Sequence, residues 1–369
     1  MASALAEPVF LETRPDIILQ EIIARYEKEA GKKLYPADDE MLLINAIAYR
    51  ETLIRLIIQD VAEQNLVAKA RAPMIDYLGH LVGVFRLPAT PAVAVLQFSV
   101  EQPQPATVLI PAGTRVSATD SVIFTTDSDV HLPAGSLTVQ VKATCTENGL
   151  AGNAWQPAQI SNLLDEIGDT DLQVMAVSPS SGGSEVENDD HLRERIILAP
   201  ESFSNAGSVG AYRYHAMSAH QDIVDVAITR PQPGTVKLTP LMAYGLPEQM
   251  ILALVEGLCS DEKVRPLTDT VVISVPEEVT YTINATLFVY REQDENAVIT
   301  QATQSLTDWV QKHALSLGND IIPSQISAAL SVPGMYKVSL SSPAEHILTK
   351  TQWAHCTGVT LIPGGKSHE

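Results

Sequence analysis

The spacing of apolar and polar positions changes character twice along the chain, and each change marks a different kind of structure. Residues 14–84 have helical spacing. Pro15 suits the first turn of a helix running to about Lys28. Asp38 or Asp39 then opens a second helix, with no glycine or proline before Pro73. This predicts a helix over 39–70, about 32 residues and roughly 48 Å long. Leu43, Ile47, Ile54, Ile57 and Val61 form one apolar stripe on it, and Leu42, Ala46, Tyr49, Leu53 and Leu56 form a second beside it. A surface helix normally buries one stripe, so two predict partners on two sides. The helix at 14–28 is too short to cover both. Leu43, Ile47, Leu53, Ile54, Ile57 and Val61 are therefore expected to meet other subunits. The plainer alternative is a local three-helix bundle with Pro73–Val84 as its third member.

Residues 89–178 are strand-like: 93–100, 107–116, 122–126 and 137–146 are β-rich runs broken by glycine and proline. Ile110–Val116 is expected to be a strand, a turn and a second strand. Gly149–Asn153 is expected to form a tight loop ahead of Trp155. A polar Ser/Gly/Pro stretch at 178–184 follows as a linker. From 188 onward the period alternates. Helices are predicted at 189–198, 208–219, 247–259 and 294–316, with a short one after Pro323. Strands are predicted at 223–230, 235–242, 270–276, 279–290, 335–342 and 358–362. The fold class is α+β and multidomain. A helical arm at 1–88 precedes a β-rich domain at 89–178 and a Gly/Ser linker at 179–187. Two small α+β sandwiches follow at 188–276 and 277–369, each with helices on one face of an antiparallel sheet.

The border at 180–196 is the most informative stretch. Gly182 and Gly183 allow a sharp turn. Asn188 is a good N-cap, and Asp189 and Asp190 lie in the first turn, against the positive end of the helix dipole. Leu192 and Ile196 give the helix an apolar edge. Arg193 and Arg195 leave on other faces, placed to reach back to Glu185 or Glu187 and set the angle of the joint. The bland alternative is a solvated, well-capped helix start. A calcium loop is excluded, since the EF-hand ligand spacing and its closing glutamate are absent.

Charge and chemistry narrow the function. Net charge is −20, and residues 89–187 hold only two basic side chains, Arg115 and Lys142. Nothing there can neutralise a run of phosphates, so neither nucleic-acid binding nor an anionic membrane surface is expected. No apolar run of about 18 residues predicts membrane insertion, and the N-terminus lacks the basic and apolar regions of a signal peptide. Cys145, Cys259 and Cys356 have no metal spacing and read as buried thiols in a reducing compartment. There is no P-loop and no G-x-S-x-G elbow. His215 and His220 are five apart and diverge on a helix. His346, His355, Cys356 and His368 match no common zinc module. Asp165-Glu166 and Asp189-Asp190 carry no specificity as a hydrolase pair. Trp155, Trp309 and Trp353 read as core or interface anchors. No catalytic residue, metal site or cofactor is expected.

Ser181-Gly-Gly-Ser-Glu-Val-Glu-Asn-Asp189, running into Leu192-Arg-Glu-Arg-Ile196, resembles the signature of the baseplate J-like family. These are wedge proteins of contractile phage tails and related contractile injection systems, tailocins included. The usual pattern has Asp at 185, Ser at 188 and often Glu at 191. The first two changes keep charge and capping ability; His191 loses the return half of a capping box. Ile110–Thr114, Gly149–Asn153, Gly210–Tyr214, Ile322–Ile326 and Pro333–Tyr336 match the family in order. The resemblance implies a structural subunit whose N-terminal helices join a bundle with a second copy of the chain and a second wedge protein. It also implies contacts with neighbouring wedges, with a gp25-like wedge protein that initiates the sheath, and with the central hub and spike. It gives the pair Gly182 and Gly183 a use, as a hinge when the ring rearranges on sheath contraction. The implied location is the baseplate of a virion or injection particle, assembled in the bacterial cytoplasm. A host-binding adhesin or fibre is the rival reading, and a carbohydrate-active hydrolase the weaker one.

Overall fold

The computed structural model describes residues 6–119, 121–168, 170–203, 208–261, 264–266 and 268–367. Packing divides the chain into two compact units: residues up to Phe85 together with Leu192–Ile197, and Arg86–His191 together with residues from Leu198 on.

The first unit contains α1 (Pro15–Ala30), α2 (Asp39–Glu63) and α3 (Met74–Leu81). Pro15 occupies the first turn of α1, where a missing N–H costs nothing. α1 packs on α2. The helix predicted to reach residue 70 stops at Glu63. No glycine or proline breaks it; polar side chains tie the turn that follows, and Asn65 satisfies a last-turn carbonyl. Asn65 Nδ2 donates to the Val61 carbonyl at 3.0 Å, and Gln64 Oε1 accepts from the Arg71 amide at 3.0 Å. Arg71 also grips Asp60 with two bonds of 2.8 and 2.9 Å. The reversal is thus written in side chains that are equally at home inside a helix.

The second unit opens with a six-stranded antiparallel sheet in the order β7-β3-β4-β6-β1-β8. Its strands are β1 (Pro91–Ser99), β3 (Arg115–Thr119), β4 (Val122–Thr126), β6 (Thr138–Asn148), β7 (Asn162–Leu163) and β8 (Gln173–Ala176). β1 shows the period-two pattern of a half-buried strand, with Ala92, Ala94, Leu96 and Phe98 inward. The outer strands β7 and β8 approach one another, so the sheet nearly closes as a barrel around Phe98, Phe124, Ile110, Leu132 and Ile160. Residues 110–116 are the expected strand, turn and strand, but the two strands do not pair with each other. β2 (Val108–Ile110) pairs with β5 (Val130–Leu132), whereas β3 pairs with β4. The turn between β2 and β3 is held from outside: the Gly113 amide donates to the Thr126 carbonyl at 2.8 Å, and Thr126 Oγ1 to the Pro111 carbonyl at 2.7 Å. β5, β7 and β8 are too short to show a period in the sequence.

Beyond α4 (Asp189–Leu198) come α5 (Val209–Met217), β9 (Ile223–Gln232), β10 (Thr235–Met242), α6 (Gln249–Cys259) and β11 (Thr270–Ile273). The last sheet comprises β12 (Glu277–Val289), β13 (Met335–Ser342) and β14 (Gln352–Lys366), covered by α7 (Glu295–Ala314) and α8 (Pro323–Leu330). Neither sheet is purely antiparallel, which corrects the expectation. β10 pairs in parallel with β11, and β12 in parallel with β14. Each parallel pair is joined by a connection that contains helix, as such crossovers require. β14 also begins earlier than predicted, at Gln352, because it follows β12 along nearly its whole length.

Candidate assembly surface and barrel clasp

The apolar face of α2 stays open. Its buried positions are Ile44, Ala48 and Thr52, a narrow seam of mostly small side chains spaced by four. With 3.6 residues per turn, this seam lies on the side of α2 away from both stripes. Leu43, Ile47, Leu53, Ile54, Ile57 and Val61 are all exposed, from 38% at Leu53 to 64% at Leu43. Leu42, Tyr49, Leu56 and Ile58 enlarge the same uncovered surface. Monomers rarely leave a patch of that extent without a partner.

The stretch read as a linker is built into the barrel. Ser184 and Thr90 exchange backbone bonds of 2.9 and 3.0 Å, and Ser181 and Val93 do the same at 2.7 and 3.0 Å. Residues 181–184 thus run against the start of β1. Ser180 Oγ donates to the Gly152 carbonyl at 2.6 Å. Asn153 closes a two-way clamp on Gly183, accepting from its amide at 2.8 Å and donating to its carbonyl at 2.7 Å. A Cβ on Gly183 would press into the Gly149 carbonyl oxygen and lie 3.0 Å from the Ala92 nitrogen. Gly182 sits at φ 85, with the Met250 methyl against it. Gly183 therefore serves close backbone approach, and Gly182 a left-handed turn.

Polar side chains complete the clasp. Glu185 Oε1 accepts from the Leu150 amide at 3.2 Å. Glu187 is buried; its Oε2 accepts from the Leu87 amide at 2.9 Å, and its Oε1 lies 2.5 Å from His191 Nδ1. His191 Nε2 reaches the Ile223 carbonyl at 3.0 Å, tying the clasp to β9. Arg86 donates to the Glu187 carbonyl at 2.6 Å and to Asp189 Oδ1 at 2.7 Å. Gln221 donates to Ser184 Oγ and to the Glu185 carbonyl. Asn188 Oδ1 accepts from the His191 amide at 2.9 Å, the bond of an N-cap. Arg193 donates to the Val67 and Ala70 carbonyls at 2.9 and 2.7 Å, and Arg195 to the Phe85 carbonyl at 3.2 Å. Sequence reasoning missed Arg86 and Gln221, and read His191 only as a lost capping contact, not as the buried partner of Glu187. A histidine four residues after a glutamate beside an apolar helix edge was the one local signal for that buried pair.

The remaining candidates for chemistry disperse. No group of three metal-binding side chains exists among the described residues; His368 lies outside them. His355 stacks on Trp353 at 4.6 Å and bonds Glu278. Trp155 Nε1 and Trp353 Nε1 donate to the carbonyls of Ala151 and Ala314. His215 is depressed from the usual histidine range by burial. Asp165 is gripped by Arg115, which holds its carboxyl below the usual carboxylate range. Cys145 and Cys259 are buried, but Cys356 is only half-buried on β14, which corrects the reading of all three as core thiols. No helix among the described residues is long and apolar enough to cross a membrane.

An α+β chain of several small domains, with an uncovered apolar helix and a rigid clasp, has the make-up of a multidomain assembly protein. Four family descriptions match consecutive stretches of it. They are the baseplate J-like N-terminal domain at 38–93, barrel domain at 95–183, central domain at 204–275 and C-terminal domain at 281–362. The chain belongs to the baseplate J-like family. Baseplate protein J of Escherichia phage P2 is 37% identical over 183 residues, covering 49% of this chain and 60% of that protein. The match thus spans less than two thirds of the relative's length. A chain of the anti-feeding prophage baseplate, solved by cryo-EM, is similar at a TM-score of 0.42 and 15% identity, over 92% of this chain and 89% of that one.

Proposed function

We propose that the protein is a wedge subunit of a contractile tail or injection-machine baseplate, linking the central hub to the ring of wedges and rearranging when the sheath contracts. The observation that carries this reading is α2, whose large apolar side chains face outward along a helix of 25 residues. The occupants proposed for that face are helices of a second copy of the chain and of a second wedge protein. Packing ridges into grooves would extend the Ile44–Ala48–Thr52 seam into a bundle. Neighbouring wedges, a gp25-like sheath-initiating protein and the hub and spike are the further proposed contacts. In this reading no step of the work is catalytic.

The test is co-expression with the neighbouring baseplate genes and native mass measurement of the product. Ile47→Glu with Ile57→Glu leaves the buried seam untouched, so the chain should fold and fail to enter a wedge complex. A double variant that still assembles at the wild-type stoichiometry refutes the bundle. Point changes are preferable to deleting residues 1–70, because that deletion removes the Val67 and Ala70 carbonyls that hold Arg193.

A further inference from the structure

A cleft of about 600 Å³ opens beside the clasp, between residues 178–183 and the segment that follows β10. His220 lines it and is 6% exposed, yet its Nε2 has no hydrogen-bond partner among the described residues. His220 Nδ1 accepts from the Asp222 amide at 3.2 Å, so Nε2 is the nitrogen that carries the proton. Burial lowers the pKa of His220 and keeps the ring neutral. A buried donor of this kind is costly to leave unpaired.

The rest of the lining selects a charge. Asp222 and Glu248 both face the cleft, and no lysine or arginine among the described residues lines it. Burial pushes the Asp222 carboxyl up from its usual range, and the nearby His220 ring, 3.7 Å away at Nδ1, offsets this in part. Leu246, Ile251 and the exposed ring of Tyr244 supply an apolar and aromatic wall. Such a wall suits the aliphatic stem of a long cationic side chain, and an aromatic face attracts the cation itself.

We propose that this cleft receives an extended segment of a partner protein carrying a basic residue, arginine above all. The guanidinium sits between Asp222 and Glu248, and a backbone carbonyl of the same segment accepts from His220 Nε2. This goes beyond the wedge reading. Its test needs no other baseplate protein, so either proposal can fail without the other.

The full-length chain is titrated with acetyl-Leu-Arg-amide and, separately, with acetyl-Leu-citrulline-amide, which keeps the shape and removes the charge. Binding is read by calorimetry and by the ¹⁵N resonances of His220. The arginine probe is expected to bind saturably with a dissociation constant on the order of 1 mM, as suits two or three charge-assisted contacts. It should shift the Nε2 resonance, and the citrulline probe should bind at least about tenfold more weakly, as expected for loss of one charge-assisted bond. Glu248→Gln lies on the surface and leaves the fold intact; with Asp222→Asn it should weaken arginine binding by roughly tenfold or more. Equal binding of the two probes, unchanged binding by both variants, or an unmoved His220 resonance under saturation overturns the proposal. So does the absence of saturable binding.

Discussion

Replacing Gly183 with alanine separates a flexible joint from a packed one. Its φ lies outside the left-handed region, so a methyl group there adds no backbone strain of its own. In a solvated hinge the change would be neutral or slightly stabilising, because alanine restricts the unfolded chain. In this structure the methyl would press into the Gly149 carbonyl oxygen and lie 3.0 Å from both the Ala92 nitrogen and Asn153 Oδ1. Two of those three atoms are backbone and cannot swing away. Overpacking costs about 1–3 kcal/mol, and strain on the two bonds to Asn153 puts about 1 kcal/mol each at risk. A total of about 3 kcal/mol corresponds to a fall in melting temperature of roughly 5 °C for a unit of about 280 residues. Thermal unfolding followed by tryptophan fluorescence suits the test, since Trp155 is bound to Ser180 beside the site. A melting temperature within about 1 °C of wild type would refute the close-packing argument and restore the hinge.

Three further outcomes follow from single contacts. Gly257 lies in the exposed interior of α6 with open space around its Cβ position, so Gly257→Ala should stabilise by about 0.5–1 kcal/mol in urea unfolding; a loss of stability would contradict the open geometry. Asp165 is held below its ordinary pKa by hydrogen bonds from Arg115, so its contribution to stability is present above the unfolded pKa and fades as pH falls through the lower folded value. A carboxyl NMR titration of Asp165 should move up toward the usual carboxylate range in Arg115→Gln, only in part because the backbone N–H of residue 115 still donates to it; an unchanged midpoint would dismiss the side-chain pairing. Burial pushes the Cys259 thiol up to about 12, whereas Cys356 is half-buried, so iodoacetamide at mild alkaline pH should label Cys356 first. Labelling of Cys259 ahead of it in the native protein would show that α6 opens.

Much of the architecture is legible in local periodicity. The helices from Pro15, from Asp39, after Pro323 and at 295–314 announce themselves through caps, first-turn prolines and apolar spacing, because those signals act within one or two turns. The doubled stripe on α2 declares a need for partners, and the 180–196 motif carries the family. Local patterns do not contain the end of α2. Asn65 and Gln64 stop it through bonds that only the folded turn brings within reach, one of them to Arg71. They do not contain the parallel pairings β10–β11 and β12–β14, since strand direction depends on how the intervening helices pack.

Gly182 and Gly183 show where the division falls. The chain alone specifies that a sharp, well-capped turn precedes α4, because glycine tolerance and N-capping are properties of neighbouring residues. That the turn is a clasp rather than a hinge depends on Gly149, Ala92 and Asn153, which lie 30 or more residues away in sequence and meet Gly183 only after the barrel has formed. The same holds for His191, whose partner at Ile223 lies on β9. Conformational freedom is a local quantity, readable residue by residue. The close approach that uses up this freedom is a contact between distant segments, so it exists only in the folded molecule.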